Sequence, residues 1–342
     1  QMDRAPQRET GLDILRGMAA FLVVCIHFPL EVRGGNYLDG LARVAVPLFF
    51  VFSGYFYQNT VKRNREAAQI KKMAKIFLGG NLLYFAWRAW MHILNGTASE
   101  WLNGVFSPAA VRAFVFKNES PVGVHLWYLG AALYVLILVY FLRKCSLMKW
   151  ACMLSIPLLA INICFGTWST LLLGKTIPNN CTRNFLFVGL PFFCMGYAVF
   201  ANQEKLAKMV QKYKKLLWPA IALLCVLNCA EQMFLFRNDL LVNKDLYITT
   251  PFLVFVLFVY FAFGCKKFFA GKMLAQIGKK YSLTIYLLQC MADEILFPII
   301  RACGLQNIYL KMHAVVVFAV CLGAAVLVEK LQKRCKNSGA AY

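Results

Sequence analysis

Two ionisable side chains share one face of the first apolar segment. Residues 11–31 read GLDILRGMAAFLVVCIHFPLE, a run long and apolar enough to cross a bilayer as a helix. Arg16 and His27 lie eleven residues apart, which is almost three turns at about 3.6 residues per turn. Both side chains are therefore expected on one stripe of the helix, separated by roughly 16 Å along its axis.

An imidazole and a guanidinium on one stripe suit proton transfer at one depth and anion binding at another. Histidine titrates near neutral pH, and arginine binds phosphate. Charged groups are costly within a membrane, so Arg16 and His27, with Asp13 close to the arginine, form a candidate site. The structural alternative is a snorkelling arginine and a buried histidine without a catalytic role.

The composition predicts a protein that crosses the membrane many times. Of the 342 residues, 60% are hydrophobic, whereas soluble domains contain about 45–50% apolar residues. The net charge is +22, but the cations gather in alternate loops, so this charge does not indicate nucleic acid. The 13 cysteines have no spacing typical of a metal site, and we expect no metal.

Hydropathy and charge together predict an all-α, polytopic transmembrane helix bundle in the cell membrane. We place about ten spans, at residues 12–31, 41–58, 73–94, 124–143, 148–165, 183–201, 216–235, 247–264, 282–300 and 312–331. Lysine and arginine cluster around the loops after even-numbered spans, at residues 62–75, 143–149, 205–215, 266–280 and 330–336. By the positive-inside rule, both termini are cytoplasmic, and residues 1–342 form a single membrane-embedded domain.

This orientation places Arg16 near the cytoplasmic face and His27 in the outer half of the membrane. Lys72 and Lys75 share a face where the third span leaves the cytosol. They either anchor that helix at the lipid phosphates or join Arg16 in a cationic cup for a phosphorylated cosubstrate. Ser53, in the second span, is a further candidate cofactor-binding residue, although a Ser-Gly pair commonly serves close helix packing.

Candidate acceptor-binding residues lie at the predicted outer side. His125, Trp127 and Tyr128 open the fourth span, where aromatic residues form either an interfacial belt or a stacking surface for sugar rings. Arg183 opens the sixth span as a snorkelling anchor or an acceptor-site cation. Glu231 lies deeper in the seventh span and either orients the histidine of the first span or belongs to a structural ion pair.

Several stretches together resemble the acyltransferase type 3 family of integral membrane enzymes. They are LDILRGMAAFLVVCIH, RVAVPLFFVFSGYF, HLWYL, RNFLFVGLPFFCMGY and YSLTIYLLQ, and they extend from the first span to the ninth. The most specific element is Arg16-x10-His27. The resemblance implies that His27 is the catalytic base and Arg16 its partner in the motif. The second and third stretches named also resemble the membrane domain of vancomycin-resistance serine racemases.

The chain departs from the family pattern at two places. Lys72 and Lys75 stand where the family often has an RxxR pair, and lysine offers a point charge instead of a bidentate fork. Gln289 stands where relatives often have histidine. We therefore expect phosphate binding with altered geometry, and no titrating group from this position of the ninth span.

The resemblance implies an O-acyltransferase with acetyl-CoA as donor cosubstrate. The acyl group, usually acetyl, passes from the cytosol to a hydroxyl on an extracytoplasmic glycan, lipid-linked sugar or envelope polymer. The expected partners are membrane lipid and this acceptor. Direct transfer and an acyl-histidine intermediate are both open. A multi-span transporter, for an amino acid such as serine or for glycan export, is the main alternative, and a non-catalytic scaffold is the third.

Overall fold

The computed structural model of the protein describes residues 5–32, 35–241, 245–265 and 268–339. All regular secondary structure in these ranges is helical, which confirms the prediction of an all-α bundle. Lys266 and Lys267, which belong to one of the predicted basic clusters, lie outside the described residues.

Every predicted span coincides with a helix. In chain order these helices are α1 Ala5–His27, α2 Ala45–Lys62, α3 Glu66–Leu94, α4 Trp127–Lys144, α5 Met148–Phe165, α6 Leu190–Ala201, α7 Lys214–Arg237, α8 Thr250–Phe263, α9 Ser282–Ala302 and α10 His313–Gly339. Shorter helices are Gly35–Ala42, Ala98–Val105, Pro108–Lys117, Ser169–Leu173, Asn179–Thr182, Gln203–Lys212, Gly271–Gln276 and Gln306–Lys311, with a 3-10 turn at Val124–Leu126 and π-helices at Phe185–Gly189 and Ile277–Tyr281.

Seven of the helices in the described ranges are long and apolar enough to cross a membrane, namely those that contain α1, α2, α4, α5, α7, α9 and α10. An eighth span results if Phe185–Ala201 and the helix bent away from it, Gln203–Lys212, are counted together. The helix α8 is apolar but has 14 residues, and α3 carries several lysines in its first half. That α3 and α8 also span the membrane therefore remains a prediction.

The chain divides into two compact units. Unit 1 contains residues 1–45, 207–229 and 256–342, and therefore α1, α9 and α10. Unit 2 contains residues 46–206 and 230–255, and therefore α3 to α6 with nearly all of α2. The first and the last parts of the chain thus belong to the same unit.

In unit 1, the backbone of α1 touches the backbone of the π-helix Ile277–Tyr281, here called the π segment. A Cβ atom added to Gly278 would lie 2.1 Å from the carbonyl oxygen of Asp13. One added to Gly17 would lie 2.2 Å from the carbonyl oxygen of Leu274. Only glycine permits such an approach, which membrane helices commonly use for close packing. The contact fixes the turn of α1 that carries Arg16.

Besides this backbone contact, an apolar cluster in unit 1 joins α1, α9 and α10. Val24 and Phe28 from the α1 side pack with Ile285 of α9 and Val317 of α10, and all four side chains are buried. The tightly packed glycines and this cluster contact successive parts of α1. Together they set the depth of both ends of the Arg16–His27 stripe.

In unit 2, α2 and α6 meet in a comparable backbone contact. A Cβ atom on Gly54 would lie 1.9 Å from the carbonyl oxygen of Phe193, and one on Gly196 would lie 2.0 Å from that of Val51. Phe192 and Phe193 are fully buried beside this crossing. The Ser-Gly pair of the second span therefore serves close helix packing, as the structural alternative predicted.

Replacing Gly278 with alanine should destabilise unit 1, because the added methyl group would overlap backbone atoms of α1. We expect Gly278→Ala to lower the Tm of the detergent-purified protein by about 3–6 °C. Gly323→Ala is the matched control, since nothing lies within 4 Å of its added Cβ and alanine favours the helix. Equal Tm values for both variants would contradict the close contact at the π segment.

Candidate functional site

The helix α1 carries Arg16 and His27 without interruption. Arg16 Nη1 lies 3.3 Å from Asp13 Oδ1, and the arginine side chain is 24% exposed. His27 is the last residue of α1, which ends shortly before Pro29. Because the helix is continuous between them, the two side chains lie on one face, roughly 16 Å apart along the axis.

A polar cluster surrounds the residue that follows His27. The centroid of the Phe28 ring lies 6.3 Å from that of His27 and 4.9 Å from that of His313. His313 Nε2 lies 2.7 Å from Asp293 Oδ1. The Tyr309 hydroxyl donates to the same oxygen, also at 2.7 Å. A carboxylate thus orients a second imidazole close to the end of α1.

Sequence reasoning did not connect Asp293 with His313. Neither residue is among the candidates that the sequence proposed, although a carboxylate inside an apolar run is itself a signal of a site. The two residues are separated by a helix end and a short helix, so helical periodicity does not relate them. Burial and the hydrogen bond to Asp293 both raise the pKa of Tyr309, which keeps this hydroxyl protonated as a donor.

The π segment passes close to Arg16 at Gly278 and carries two lysines directly after that contact. A Cβ atom on Gly278 would lie 3.1 Å from the Cβ of Arg16, and Lys279 and Lys280 follow directly. Lys280 Nζ lies 3.1 Å from Glu329 Oε1. Lys279 is exposed and makes no ion pair within the ranges that the structure describes. Spacing alone did not relate Lys279 to Arg16.

In unit 2, Lys72 and Lys75 lie exposed on α3, and a buried ion pair fixes the start of that helix. Arg143 Nε donates to Glu66 Oε1 at 2.7 Å, and its Nη2 donates to Glu66 Oε2. The Tyr57 hydroxyl donates to Glu66 Oε1 at 2.5 Å. The carboxylate, 7% exposed, thereby joins the ends of α2 and α4 to the beginning of α3. This bidentate contact orients the helix that carries the two lysines.

Two of the predicted acceptor residues contact each other in unit 2. The guanidinium of Arg183 lies 5.5 Å from the centroid of the Trp127 ring, a cation–π distance. Arg183 Nη1 also lies 3.8 Å from Asp245 Oδ1. The cation is thus held between a ring face and a carboxylate, which limits its freedom to move as a lipid anchor.

The remaining aromatic candidates are packed within unit 2. His125 is 3% exposed, and its ring centroid lies 4.6 Å from that of Tyr84. The Tyr128 ring lies 4.9 Å from that of Phe50 and 6.0 Å from that of Phe49. Tyr128 is partly exposed, whereas His125 is enclosed. Their proposed contacts with an acceptor remain predictions.

Glu231 accepts several hydrogen bonds at the start of α8. Trp168 Nε1 donates to Glu231 Oε1 at 2.8 Å, and the amide of Ile248 donates to the same oxygen at 2.7 Å. The amide of Thr249 donates to Oε2 at 3.3 Å. A carboxylate at the N-terminus of a helix is electrostatically favourable, so this arrangement stabilises unit 2. A contact of Glu231 with substrate remains a prediction.

Ser53 lies in α2, and its hydroxyl donates to the backbone carbonyl of Phe49 at 2.9 Å. This local bond uses the hydroxyl hydrogen within the helix. The predicted cofactor contact of Ser53 therefore stays a prediction, restricted to its acceptor capacity. By unit, Asp13, Arg16 and His27 belong to unit 1. The other residues that the sequence proposed for cofactor or acceptor binding belong to unit 2, namely Ser53, Lys72, Lys75, His125, Trp127, Tyr128, Arg183 and Glu231.

Comparison with known families identifies the class of protein. The profile of an acyltransferase family, described as "Acyltransferase domain", matches residues 9–329. The chain therefore belongs to this family, acyltransferase type 3, and the resemblance inferred from the motifs is confirmed.

Among curated proteins, the chain is similar to racemases and to a nodulation protein. It is 27% identical to an amino-acid racemase of Enterococcus faecalis over 74% of this chain and 37% of the racemase. It is 26% identical to a serine/alanine racemase of Enterococcus gallinarum over 73% and 37%. The nodulation protein NolL of Sinorhizobium fredii is 26% identical over 70% and 62%. The chain thus spans less than half the length of these racemases, and no solved structure matches it.

Removing the carboxylate of Glu66 should destabilise unit 2, because Arg143 would be left without its charge partner. We expect Glu66→Gln to cost about 3 kcal/mol, seen as a lower Tm at pH 7. Burial raises the pKa of Glu66, but the bonds from Arg143 and Tyr57 outweigh burial and lower it overall. The stabilisation is therefore present above the ordinary carboxyl pKa and is lost as the pH falls through the lowered value.

The matched control for this experiment is Glu204→Gln, a substitution of an exposed glutamate. It should change the stability at pH 7 by less than about 1 kcal/mol. The Tm values of wild type and Glu66→Gln should converge as the pH falls. A gap that stays constant down to strongly acid pH would contradict the charge interaction.

Proposed function

We propose that this protein is a membrane O-acyltransferase that transfers an acetyl group from cytosolic acetyl-CoA to a hydroxyl of an extracytoplasmic glycan or envelope polymer. The observation that carries the proposal is the uninterrupted α1 helix, with Arg16 and His27 on one face, in a member of an acyltransferase family. A cation at one depth and a proton acceptor at another match a donor that enters from one side of the membrane and an acceptor that waits at the other.

In this proposal, Arg16, Lys72 and Lys75 bind the phosphates of CoA at the cytoplasmic face. Arg16 offers a guanidinium that Asp13 orients, and the two lysines offer exposed ammonium groups on one face of α3. The extended pantetheine arm is comparable in length with the roughly 16 Å between Arg16 and His27. The thioester is thereby brought to the depth of the imidazole.

The transfer proceeds with His27 as general base. The acceptor hydroxyl oxygen attacks the thioester carbonyl carbon while its proton passes to the imidazole. The C–O bond forms, the carbonyl electron pair moves onto oxygen, and collapse of this intermediate breaks the C–S bond. The departing CoA thiolate takes the proton from the imidazolium. Atoms and charges balance without a metal or a redox partner.

The acceptor is held by groups of unit 2. Trp127 and Tyr128 offer aromatic faces that stack on sugar rings, and Arg183 offers a cation already oriented by Trp127 and Asp245. His125 and Glu231 complete the set of candidate contacts. A neutral or anionic glycan fits this combination of ring faces and a fixed cation.

Substituting His27 tests the reaction directly. In proteoliposomes with acetyl-CoA and a panel of p-nitrophenyl glycosides as hydroxyl acceptors, we expect His27→Ala to reduce CoA release by about 100-fold or more, because the base is lost. His92→Gln is the matched control and should behave as wild type, since His92 is hydrogen-bonded to Thr97 at the end of α3. Equal activity of wild type and His27→Ala would overturn the proposed mechanism.

The same vesicles separate the proposal from transport. The racemase relatives act on amino acids by name, so a serine carrier is the alternative to exclude. Flux of radiolabelled serine without CoA release would overturn the acyltransferase proposal in favour of a carrier. Release of CoA with acetylation of a glycoside, and no serine flux, would support it.

Charge removal tests the donor site. We expect the double variant Lys72→Gln/Lys75→Gln to raise the KM for acetyl-CoA by about tenfold and to weaken its salt dependence, because two phosphate contacts are lost. Lys149→Gln is the matched control, since Lys149 is also exposed and belongs to another predicted cytoplasmic cluster. An unchanged KM in the double variant would remove these lysines from the donor site.

A further inference from the structure

One amide side chain in unit 1 is fully buried and has no hydrogen-bond partner. Gln289 of α9 is 0% exposed. Within the part of the chain that the structure describes, neither its Nε2 nor its Oε1 contacts a hydrogen-bonding group. A carboxamide offers two N–H donors and an oxygen with two lone pairs, and burying all of them unpaired is strongly unfavourable. Such a group in a folded protein calls for a polar occupant beside it.

The position of Gln289 along α9 follows from the contact at the π segment. There, Gly278 meets α1 at the backbone of Asp13 and Gly17, on either side of Arg16. Gln289 lies eleven residues after Gly278 in the chain. With a rise of about 1.5 Å per residue, that separation equals the one between Arg16 and His27 on α1.

The two helices run in the same direction away from this contact. Phe28, just past the end of α1, packs against His313, and His313 contacts Asp293 of α9. Asp293 lies four residues beyond Gln289 on the same face of α9. Gln289 is therefore at the depth of His27, one turn before the Asp293–His313 pair.

The turn of α9 that precedes Gln289 is apolar. One turn before it, Ile285 is fully buried in the apolar cluster that includes Val24 and Phe28. A hydrogen bond formed in such a dry, low-dielectric layer is stronger than the same bond in water. An amide placed there forms a strong hydrogen bond with a polar group of an entering substrate.

The geometry points to Gln289 as the group that binds the reacting acyl carbonyl, an inference that rests on the proposed function. Its Nε2–H donates to the carbonyl oxygen of the thioester and stabilises the negative charge that forms there as the hydroxyl attacks. Its Oε1 accepts from the donor group of the second substrate. The thioester supplies an acceptor, and a second, non-reacting hydroxyl of the glycan supplies a donor, which matches the two unpaired halves of the amide.

Gln289 takes no part in the proton transfer. The hydroxyl proton still passes to His27, the C–O bond forms, the C–S bond breaks, and the thiolate takes the proton. Gln289 holds the oxygen throughout and releases it when the carbonyl is restored. The Asp293–His313 pair lies one turn further along α9.

The test uses Gln289→Met, which keeps the length of the side chain but removes both polar atoms. We expect kcat for CoA release to fall by about 100-fold with a small change in the KM for acetyl-CoA, because a transition-state contact is lost. We also expect the Tm without substrate to rise by about 2–4 °C, because the unpaired amide is gone. Gln289→Leu, which also removes both polar atoms, should show the same loss of kcat.

The matched control is Gln232→Met, since Gln232 is also a buried glutamine, 2% exposed, in a different unit. It should keep the wild-type kcat. A wild-type kcat in Gln289→Met would overturn the inference. The amide would then bind a buried water molecule and not the acyl carbonyl. A Tm below that of wild type would also overturn it, because the amide would then be structural. Absence of CoA release by wild-type protein would overturn the proposed function instead.

Discussion

The organisation of unit 1 depends on a contact between two backbones. Where α1 crosses the π segment, Gly17 and Gly278 leave no side chain between the helices. In a membrane, association of helices relies on van der Waals packing and polar contacts, since lipid tails are as apolar as the helix surfaces. A contact at backbone distance maximises that packing. It also fixes the register of the two helices, and with it the depth of every polar group on them.

Polar groups in the apolar spans are accommodated mainly by polar partners that lie next to them in space. Arg16 pairs with Asp13, Asp293 with His313, and Glu231 with Trp168. Each pairing reduces the cost of removing a charge or dipole from water. Gln289 differs from these residues, because both of its polar atoms lack a partner among the described residues. This difference, and not its residue type, is the basis on which we propose it as a binding group.

The fold was predictable because its signals are local. An apolar run of about twenty residues specifies a helix without knowledge of its neighbours, and each predicted span coincides with one. The first helix ends at His27 and not at residue 31 as predicted, because Pro29 disfavours helical geometry just before it. The stripe of Arg16 and His27 followed from helical periodicity, which is also a local property.

The rest of the candidate site depends on contacts between distant parts of the chain. The pairing of Asp293 with His313 and the approach of Gly278 to Arg16 require the packing of separate helices. Hydropathy does not encode such contacts. The isolation of Gln289 is still less accessible, since the absence of a partner is a property of the whole fold. Arg183 and Trp127 were proposed for the same site, and their cation–π contact is consistent with that grouping.

The Glu66–Arg143 ion pair has a consequence for synthesis at the ribosome. The two residues are 77 positions apart in the chain. At about 5–20 residues per second, the carboxylate emerges roughly 4–15 s before its guanidinium partner is made. During that interval the start of α3 lacks its bidentate partner. Synthesis of Arg143, near the end of α4, therefore completes the contact that orients the start of α3.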